Sequence, residues 1–301
     1  MKTPRVFVTG GSGFLGRTLV PLLKERGYGV DAPASRECDL TKEKSLDSFQ
    51  VSYDYIFHLA AWTQAGDFCL KHPGEQWLIN QKINTHLLNW WLQKQPQAKA
   101  IFLGTSCAYD PTLPLHEENY LKGEPIPSLY TYAMTKRMLW VGAQSLGKQY
   151  GLKSMNLVPS TLCGNYYHED GRQMHFIYDL ARKILQSKKT GDPAVLWGDG
   201  YQRREVVAVG DFCQGMMQLM EKESAWGETF NLGAGQDHSI REFAEVLGRQ
   251  VGVAPSLIQY DETQYTGAKS KCLGVEKVRK WISWKPAGLG SCVQLVLEAF
   301  A

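Results

Sequence analysis

No stretch of this chain approaches the ~20 consecutive apolar residues of a membrane-spanning helix, so no membrane partner is expected. Cysteine is present but unorganised: seven residues, an odd number, run from Cys38 to Cys292 without one C-x-x-C pair. That pattern excludes a disulfide framework and a zinc ribbon, and reads as reduced thiols in a cytoplasmic protein. The histidines show no H-E-x-x-H spacing, so no metal site is expected. A dominant charge is lacking too. Thirty-three Lys and Arg against 30 Asp and Glu leave +3 with no long basic run, too weak a field to point to nucleic acid. Internal repeats and low-complexity linkers are also missing, and the opening residues 1–8 read as a strand-like run rather than a signal peptide. What remains is a folded chain: 301 residues, 44% hydrophobic and 21% charged, about two domains at ~150 residues each.

Strand-like and helix-like patterns alternate through the first half. Arg5 to Thr9 reads as a buried strand, and Leu15, Leu19, Leu22 and Leu23 recur at helical spacing after it. Further strands are expected at 28–32, 55–59, 100–103 and 154–158, with helices at about 72–94 and 132–150 between them. This rhythm predicts a parallel sheet covered on both faces. From Gly164 onward short strands near 194–197, 206–209 and 229–232 lie among Gly-rich turns and three more helical segments. The expected fold is α/β: a Rossmann-type doubly wound parallel sheet with a smaller mixed α/β C-terminal lobe. The division expected is 1–164 plus about 206–232 for dinucleotide binding, and about 165–205 plus 233–301 for the substrate.

Thr9-Gly10-Gly11-Ser12-Gly13-Phe14-Leu15-Gly16 places glycines three apart, between a strand and a helix. Missing side chains let the backbone approach a pyrophosphate, and the helix N-terminus supplies N–H donors. After the second strand, Arg36 can hold a ribose 2′-phosphate, whereas Asp31 can hold a 2′-hydroxyl. NADP(H) is favoured on Arg36, and NAD(H) stays open on Asp31. Tyr132 and Lys136 form Y-x-x-x-K on a helix, a four-residue step that stacks phenol and ammonium on one face. An ammonium there lowers the phenol pKa toward working pH, so Tyr132 can serve as general acid or base at a carbonyl. Thr105 ends a strand upstream, where its hydroxyl can bind the same oxygen.

The G-x-x-G-x-x-G spacing, Thr105 and the Tyr–Lys pair together resemble the extended short-chain dehydrogenase/reductases. Within that branch several motifs look like the GDP-L-fucose synthase family. They are Thr105-Ser106-Cys107-Ala108-Tyr109, Glu118-Asn119-Tyr120-Leu121-Lys122-Gly123, Trp197-Gly198-Asp199-Gly200 with Arg204-Glu205, residues 231–235 and Ser239-Ile240-Arg241-Glu242. The resemblance implies an oxidoreductase and isomerase that inverts C3 and C5 of a nucleotide-linked 4-keto-6-deoxy sugar and then reduces C4. It implies a catalytic set of Thr105, Tyr132 and Lys136, with Cys107 as epimerisation base and His175 as the opposing acid. Cofactor contacts implied are Gly10, Gly13, Phe14, Leu15, Gly16, Asp39 at the adenine edge, Leu40, Leu59, Ala60, Ala61, Pro159 and Leu162, besides Tyr132, Lys136 and Arg36. Substrate contacts implied are Ser106, Thr161, Lys183, Trp197, Arg204 and Lys271. Lys183, Arg204 and Lys271 are expected at the diphosphate, or else as surface charges; Trp197 at the base, or else in the core. Trp90-Trp91 suits a core or a dimer bundle, and a homodimer is expected.

Two departures leave specificity open. Thr161-Leu162-Cys163-Gly164 stands where the family has Asn-Leu-Tyr-Gly, near the sugar, and Ala208-Val209-Gly210-Asp211 stands where it has His-Val-Asp-Asp, toward the diphosphate. Two rivals remain: a 4-ketoreductase without epimerisation, which would idle Cys107, and a non-catalytic dinucleotide sensor, whose expected signature is loss of the Tyr–Lys pair.

Overall fold

A computed structural model describes residues 3–168, 173–263 and 269–301. Its centre is β1 (Arg5–Thr9), in which Val6, Phe7 and Val8 have no exposed surface. A short run buried on both faces is what a central parallel strand requires. Parallel strands flank it on both sides: β2 (Gly29–Asp31), then β3 (Tyr55–His58), β4 (Lys99–Leu103), β5 (Ser154–Pro159) and β10 (Thr229–Leu232), in the order β2-β1-β3-β4-β5-β10. The chain turns to β2 on one side of β1 and to β3 on the other. The carboxyl ends of β1 and β3 therefore open a crevice, the place where such sheets bind ligands.

Helices α1 (Phe14–Glu25) and α6 (Val209–Met220) pack together, as do α3 (Pro73–Lys94) and α4 (Tyr130–Tyr150). Trp90 and Trp91 on α3 belong to the core: Trp91 donates its indole N–H to Ala98 O at 2.8 Å, and Trp90 sits 4.9 Å from the Phe7 ring. A four-residue helix, α2 (Phe68–Lys71), precedes α3 and is too short to leave a periodic signal.

The second lobe has its own apolar cluster. It is built by α5 (Phe176–Thr190), α7 (Ile240–Val251) and α9 (Leu289–Glu298), with Ile177, Ile184, Phe243, Leu247, Val293 and Val296 inside. Short ladders stitch it: β6 (Thr161–Cys163) with β9 (Val206–Ala208), β7 (Ala194–Trp197) with β12 (Ile258–Asp261), and β8 (Arg203–Arg204) with β11 (His238–Ser239). Ser239 and Glu242 form a reciprocal capping box at the start of α7, a device that stabilises a helix end by about 1 kcal/mol. Among the described residues five α-helices follow Gly164, rather than the three expected: α5, α6, α7, α8 (Glu276–Trp281) and α9. Leu273, Val275, Val278, Ile282 and Trp284, from the segment that the sequence groups with the substrate lobe, pack into the first cluster, with Trp281 5.2 Å from Phe230 of β10. All seven cysteines are free thiols, and among the described residues no helix is long and apolar enough to cross a membrane.

Candidate active site

The glycines of the first loop are there for space. Gly10 has φ +68°, a left-handed conformation that costs other residues ~1–2 kcal/mol, and a Cβ on it would lie 2.8 Å from Ala60 N. At Gly16 a Cβ would lie 2.3 Å from Gly10 O, so α1 presses directly on the turn. Gly13 caps α1 without a side chain, and the first intrahelical bond runs from Arg17 N–H to Gly13 O at 2.9 Å. The N–H groups of Phe14, Leu15 and Gly16 precede that bond and face the loop, an arrangement suited to a pyrophosphate. Leu15 contributes through its backbone, since its side chain is in the core, while Phe14 is half-buried between both apolar clusters. Gly16→Ala is expected to cost ~1–3 kcal/mol by overpacking and to weaken dinucleotide binding at least about tenfold. Thermal melts and cofactor titration check both, and wild-type affinity in the variant would disprove this role for the loop.

Beside the loop the two residues expected to select the cofactor differ. Asp31 is engaged: its Oδ2 accepts from Arg5 at 2.7 Å and from the Tyr53 hydroxyl at 2.7 Å. Arg36 is 86% exposed in its side chain, with Glu37 at 3.7 Å. Asp39 accepts from the Thr41 N–H (3.0 Å) and hydroxyl (2.7 Å), which hold its carboxyl below the usual range. Leu40 is buried, and its carbonyl accepts from His86 Nδ1 at 2.8 Å. Leu59, Ala60 and Ala61 follow β3 along the crevice, with the Leu59–Ala60 backbone against Gly10; Pro159 ends β5 and Leu162 lies in β6.

A buried polar chain, which motif reading did not find, joins the loop to the catalytic helix. Thr9 Oγ1 accepts from Ala60 N–H at 3.2 Å and lies 2.8 Å from His58 Nδ1; His58 Nε2 lies 3.2 Å from Asn84 Oδ1. Asn84 donates to Thr135 O at 3.4 Å, which turns its Oδ1 to the ring and places the imidazole proton on Nε2. Burial first, then the Lys136 charge, pull the His58 pKa down to about 3, so this ring stays neutral.

Thr105, Cys107 and Tyr132 come together where β4 ends. Thr105 caps the turn 106–108, and its Oγ1 accepts from Cys107 N–H at 3.2 Å. Tyr132 and Lys136 approach from α4, and Arg137 clamps that helix to the same turn by donating to Ala108 O (2.8 Å), Gly123 O (2.7 Å) and Lys122 O (2.7 Å). The electrostatics correct the sequence expectation. Tyr132 is pushed above the usual phenol value, by burial first and then by Cys107, Tyr120 and Cys69; only the hydrogen bond with Thr105 opposes. Lys136 is 6% exposed, and burial pulls it down to about 8. Lys136 is buried and Tyr132 half-buried on α4, and for both groups desolvation is the leading cause of the shift.

Two further neighbours sit close by. Tyr120 is fully buried behind Gly104, where a Cβ on that glycine would lie 2.7 Å from its hydroxyl. Cys69 of α2 is buried and accepts from Gln76 Nε2 at 3.4 Å.

His175 caps α5, with its N–H donating to the Tyr167 hydroxyl at 2.9 Å. His175 itself is exposed; desolvation first, and then His168, hold its pKa below the usual imidazole value. Gln173 Oε1 accepts from Asp67 N–H at 2.9 Å, which docks the segment leading into His175 on the loop before α2.

Four of the six expected substrate residues, Ser106, Thr161, Arg204 and Lys271, line one small pocket together with Leu115, Ser160, Glu205 and Leu273. Lys271 aims its ammonium at Cys107 Sγ, 3.6 Å away. Lys183 and Trp197 form a separate group. Lys183 lies 5.1 Å over the Trp197 ring and 3.2 Å from Asp179, and Trp197 is 56% exposed, so it is not a core residue. Glu205 is a further residue whose task the motifs did not disclose. Its carboxylate accepts from Gly235 N–H (2.6 Å) and Leu273 N–H (3.0 Å), tying two loops together, and burial pushes it up to about 7. Among the described residues no cluster of His, Cys, Asp or Glu is placed to hold a metal.

Comparison with known proteins agrees with this architecture. Residues 6–233 match the NAD dependent epimerase/dehydratase family. GDP-L-fucose synthase 1 of Arabidopsis thaliana is 27% identical over 294 residues, covering 95% of this chain and 89% of the relative. GDP-L-fucose synthase of Escherichia coli (strain K12) is 27% identical over 318 residues, covering 99% and 98%. A solved GDP-mannoheptose C4 reductase from Campylobacter jejuni, with NADP bound, shares the fold at a TM-score of 0.85 and 21% identity, covering 100% of this chain and 99% of that one.

Proposed function

The chain belongs to the NAD dependent epimerase/dehydratase family, and from that premise we propose that it is an NADPH-dependent epimerase/reductase of a GDP-linked 4-keto-6-deoxy sugar. The observation that carries this is the joining of Cys107 to the Thr105–Tyr132–Lys136 cluster, with Ser106 and Lys271 opening the same turn into a cavity. The GDP moiety is supported by the names of the relatives. The glycine turn fits a dinucleotide pyrophosphate: without side chains Gly10 packs against Ala60 and Gly16 against the turn, which leaves the N-terminus of α1 open to phosphate oxygens. When bound, NADPH supplies the hydride that reaches C4.

The chain's own groups handle protons. A 4-keto group acidifies the hydrogens on C3 and C5; Cys107 removes one, and His175 returns a proton from the opposite face. Thr105 and Tyr132 hydrogen-bond the keto oxygen, and Tyr132 protonates it as C4 is reduced. The division of labour follows the two apolar clusters, the first holding the dinucleotide and the second the sugar nucleotide.

NADPH preference rests on Arg36 standing open while Asp31 is held by Arg5 and Tyr53. Arg36→Ala is expected to lower that preference about ten- to a hundredfold, as loss of a charge-assisted phosphate bond of roughly 1.5–3 kcal/mol implies. Ratios of kcat/KM with NADPH and NADH measure it; a wild type that uses NADH better refutes the assignment.

A homodimer is the proposed assembly, supported by the exposed apolar side chains Trp77 and Leu78 on α3 and Met138 and Val141 on α4. Free thiols throughout support a cytoplasmic location. The test of function is NADPH oxidation against GDP-, dTDP- and CDP-linked 4-keto-6-deoxy sugars, with NMR of the product. Turnover with GDP sugars and inversion at C3 and C5 is expected. Reduction without inversion would establish the 4-ketoreductase instead, and no turnover with any of them would overturn both.

A further inference from the structure

Lys271 sets its ammonium against the proposed epimerisation base, and among the described residues that sulfur is its hydrogen-bond partner. Its Nζ donates toward Cys107 Sγ at 3.6 Å, within hydrogen-bonding range for sulfur. Among the described residues it makes no ion pair with a carboxylate. Glu205 lines the same cavity, but its oxygens are taken by Gly235 and Leu273 N–H. The extended segment that presents Lys271 is tied on both sides. Arg203 N–H donates to Lys269 O (2.9 Å), Ser270 Oγ to Asp237 (2.7 Å), Leu273 N–H to Glu205 (3.0 Å) and Gly274 N–H to Leu115 O (2.9 Å). A flexible lysine stem is thereby launched from a fixed backbone straight at one sulfur.

We propose that Lys271 is a positioning residue that stabilises and aims the Cys107 thiolate, rather than a grip on the nucleotide diphosphate. This rests on the epimerase reading for its purpose but not for its test. A thiol becomes a useful base only as thiolate, and an adjacent cation favours that form. Tyr132, Tyr120 and Cys69, which also lie near Cys107, are held in their neutral forms, so the formal positive charge set against the sulfur is that of the Lys271 ammonium. In the reaction the C–H bond at C3 or C5 breaks and its proton bonds to Sγ. The electron pair moves toward the keto oxygen held by Thr105 and Tyr132, and Lys271 gives up no proton.

The experiment is alkylation of the intact, substrate-free enzyme with iodoacetamide at pH 7, following Cys107 and Cys272 by peptide mass spectrometry. Cys272 is an internal reference: it adjoins Lys271, is half-buried, and is pushed up to about 12 by burial first and by Glu205 next. Lys271→Met should slow Cys107 labelling about tenfold relative to Cys272, and Lys271→Arg should restore it to within about twofold. Lys271→Met with unchanged Cys107 labelling, or with equal slowing of both cysteines, would overturn the proposal; unchanged labelling with a raised KM for nucleotide sugar would return Lys271 to the diphosphate. A loosened fold would reveal itself as faster Cys272 labelling, and the Lys271→Arg comparison then decides, failing the proposal if Arg also labels slowly. Failure of the epimerase reading shows separately, as absence of C3 and C5 exchange in a wild type whose Cys107 labelling still responds to Lys271.

Discussion

Tyr132→Phe is expected to bind dinucleotide as the wild type does and to lose carbonyl reduction by roughly 10²–10⁴-fold, the usual contribution of a positioned general acid. Only the phenolic oxygen and its proton are removed; the loop at Gly10, Gly13 and Gly16 is untouched, and the ring still fills its place on α4. The direction of the Tyr132 shift sharpens this expectation. Burial holds the phenol above its usual value, so it is fully protonated at neutral pH, the state a donor to a developing alkoxide needs. The alkaline limit should therefore be set elsewhere. Lys136, pulled down to about 8, is charged below that pH and neutral above it. Reduction should be flat below pH 8 and fall above it, while Lys136→Arg, charged at every accessible pH, should abolish that fall in whatever activity it keeps. Stopped-flow NADPH oxidation across pH measures both variants. A Phe variant that reduces its substrate at a near wild-type rate would dismiss Tyr132 as the acid.

The residues that sequence alone exposed are those whose chemistry is carried by local spacing. The glycines at 10, 13 and 16 and the Tyr132–Lys136 step are read within one turn of chain, and each lies in the element expected for it. What escaped depends on contacts across distant segments. Thr9 meets His58 across 49 residues and His58 meets Asn84 across 26, so no window of sequence displays the chain that links β1 to α4. Arg137 is one step past Lys136 yet acts on backbone carbonyls 14, 15 and 29 residues away. The pKa of Tyr132 was misjudged for a related reason: the four-residue step shows that phenol and ammonium share a face, but not that the face is buried deeply enough for desolvation to win. Lys271 shows the same limit. The segment that carries it, tied to Glu205, brings its ammonium against a thiol 164 residues earlier, a contact that no sequence motif displays. Short ladders such as β8 and β11, two residues each, have no periodicity to read.

Cys107→Ser should separate the two halves of the proposed reaction. The substitution keeps size and a hydrogen-bonding atom but replaces a thiol with an alcohol, a far poorer source of an anionic base. Thr105 remains on the same turn, since its Oγ1 accepts from the backbone N–H of residue 107, which serine supplies equally. Hydride transfer then still has Thr105, Tyr132 and Lys136, so slow reduction of the unepimerised 4-keto sugar should persist. Exchange of the C3 and C5 protons with deuterated water should fall by roughly 10²–10⁴-fold, the range for losing a general base. His175→Asn should give a different defect. Abstraction by Cys107 can still begin, so exchange on one face continues while inversion fails, because nothing returns a proton from the other face. Exchange is followed by NMR with oxidised cofactor, so that reduction cannot hide it, and product configuration is read separately with NADPH. Cys107→Ser that exchanges both protons at the wild-type rate would remove Cys107 from the mechanism. A wild type that exchanges neither, on a substrate it reduces, would leave a 4-ketoreductase in which the Cys107–Lys271 contact serves only to shape the cavity.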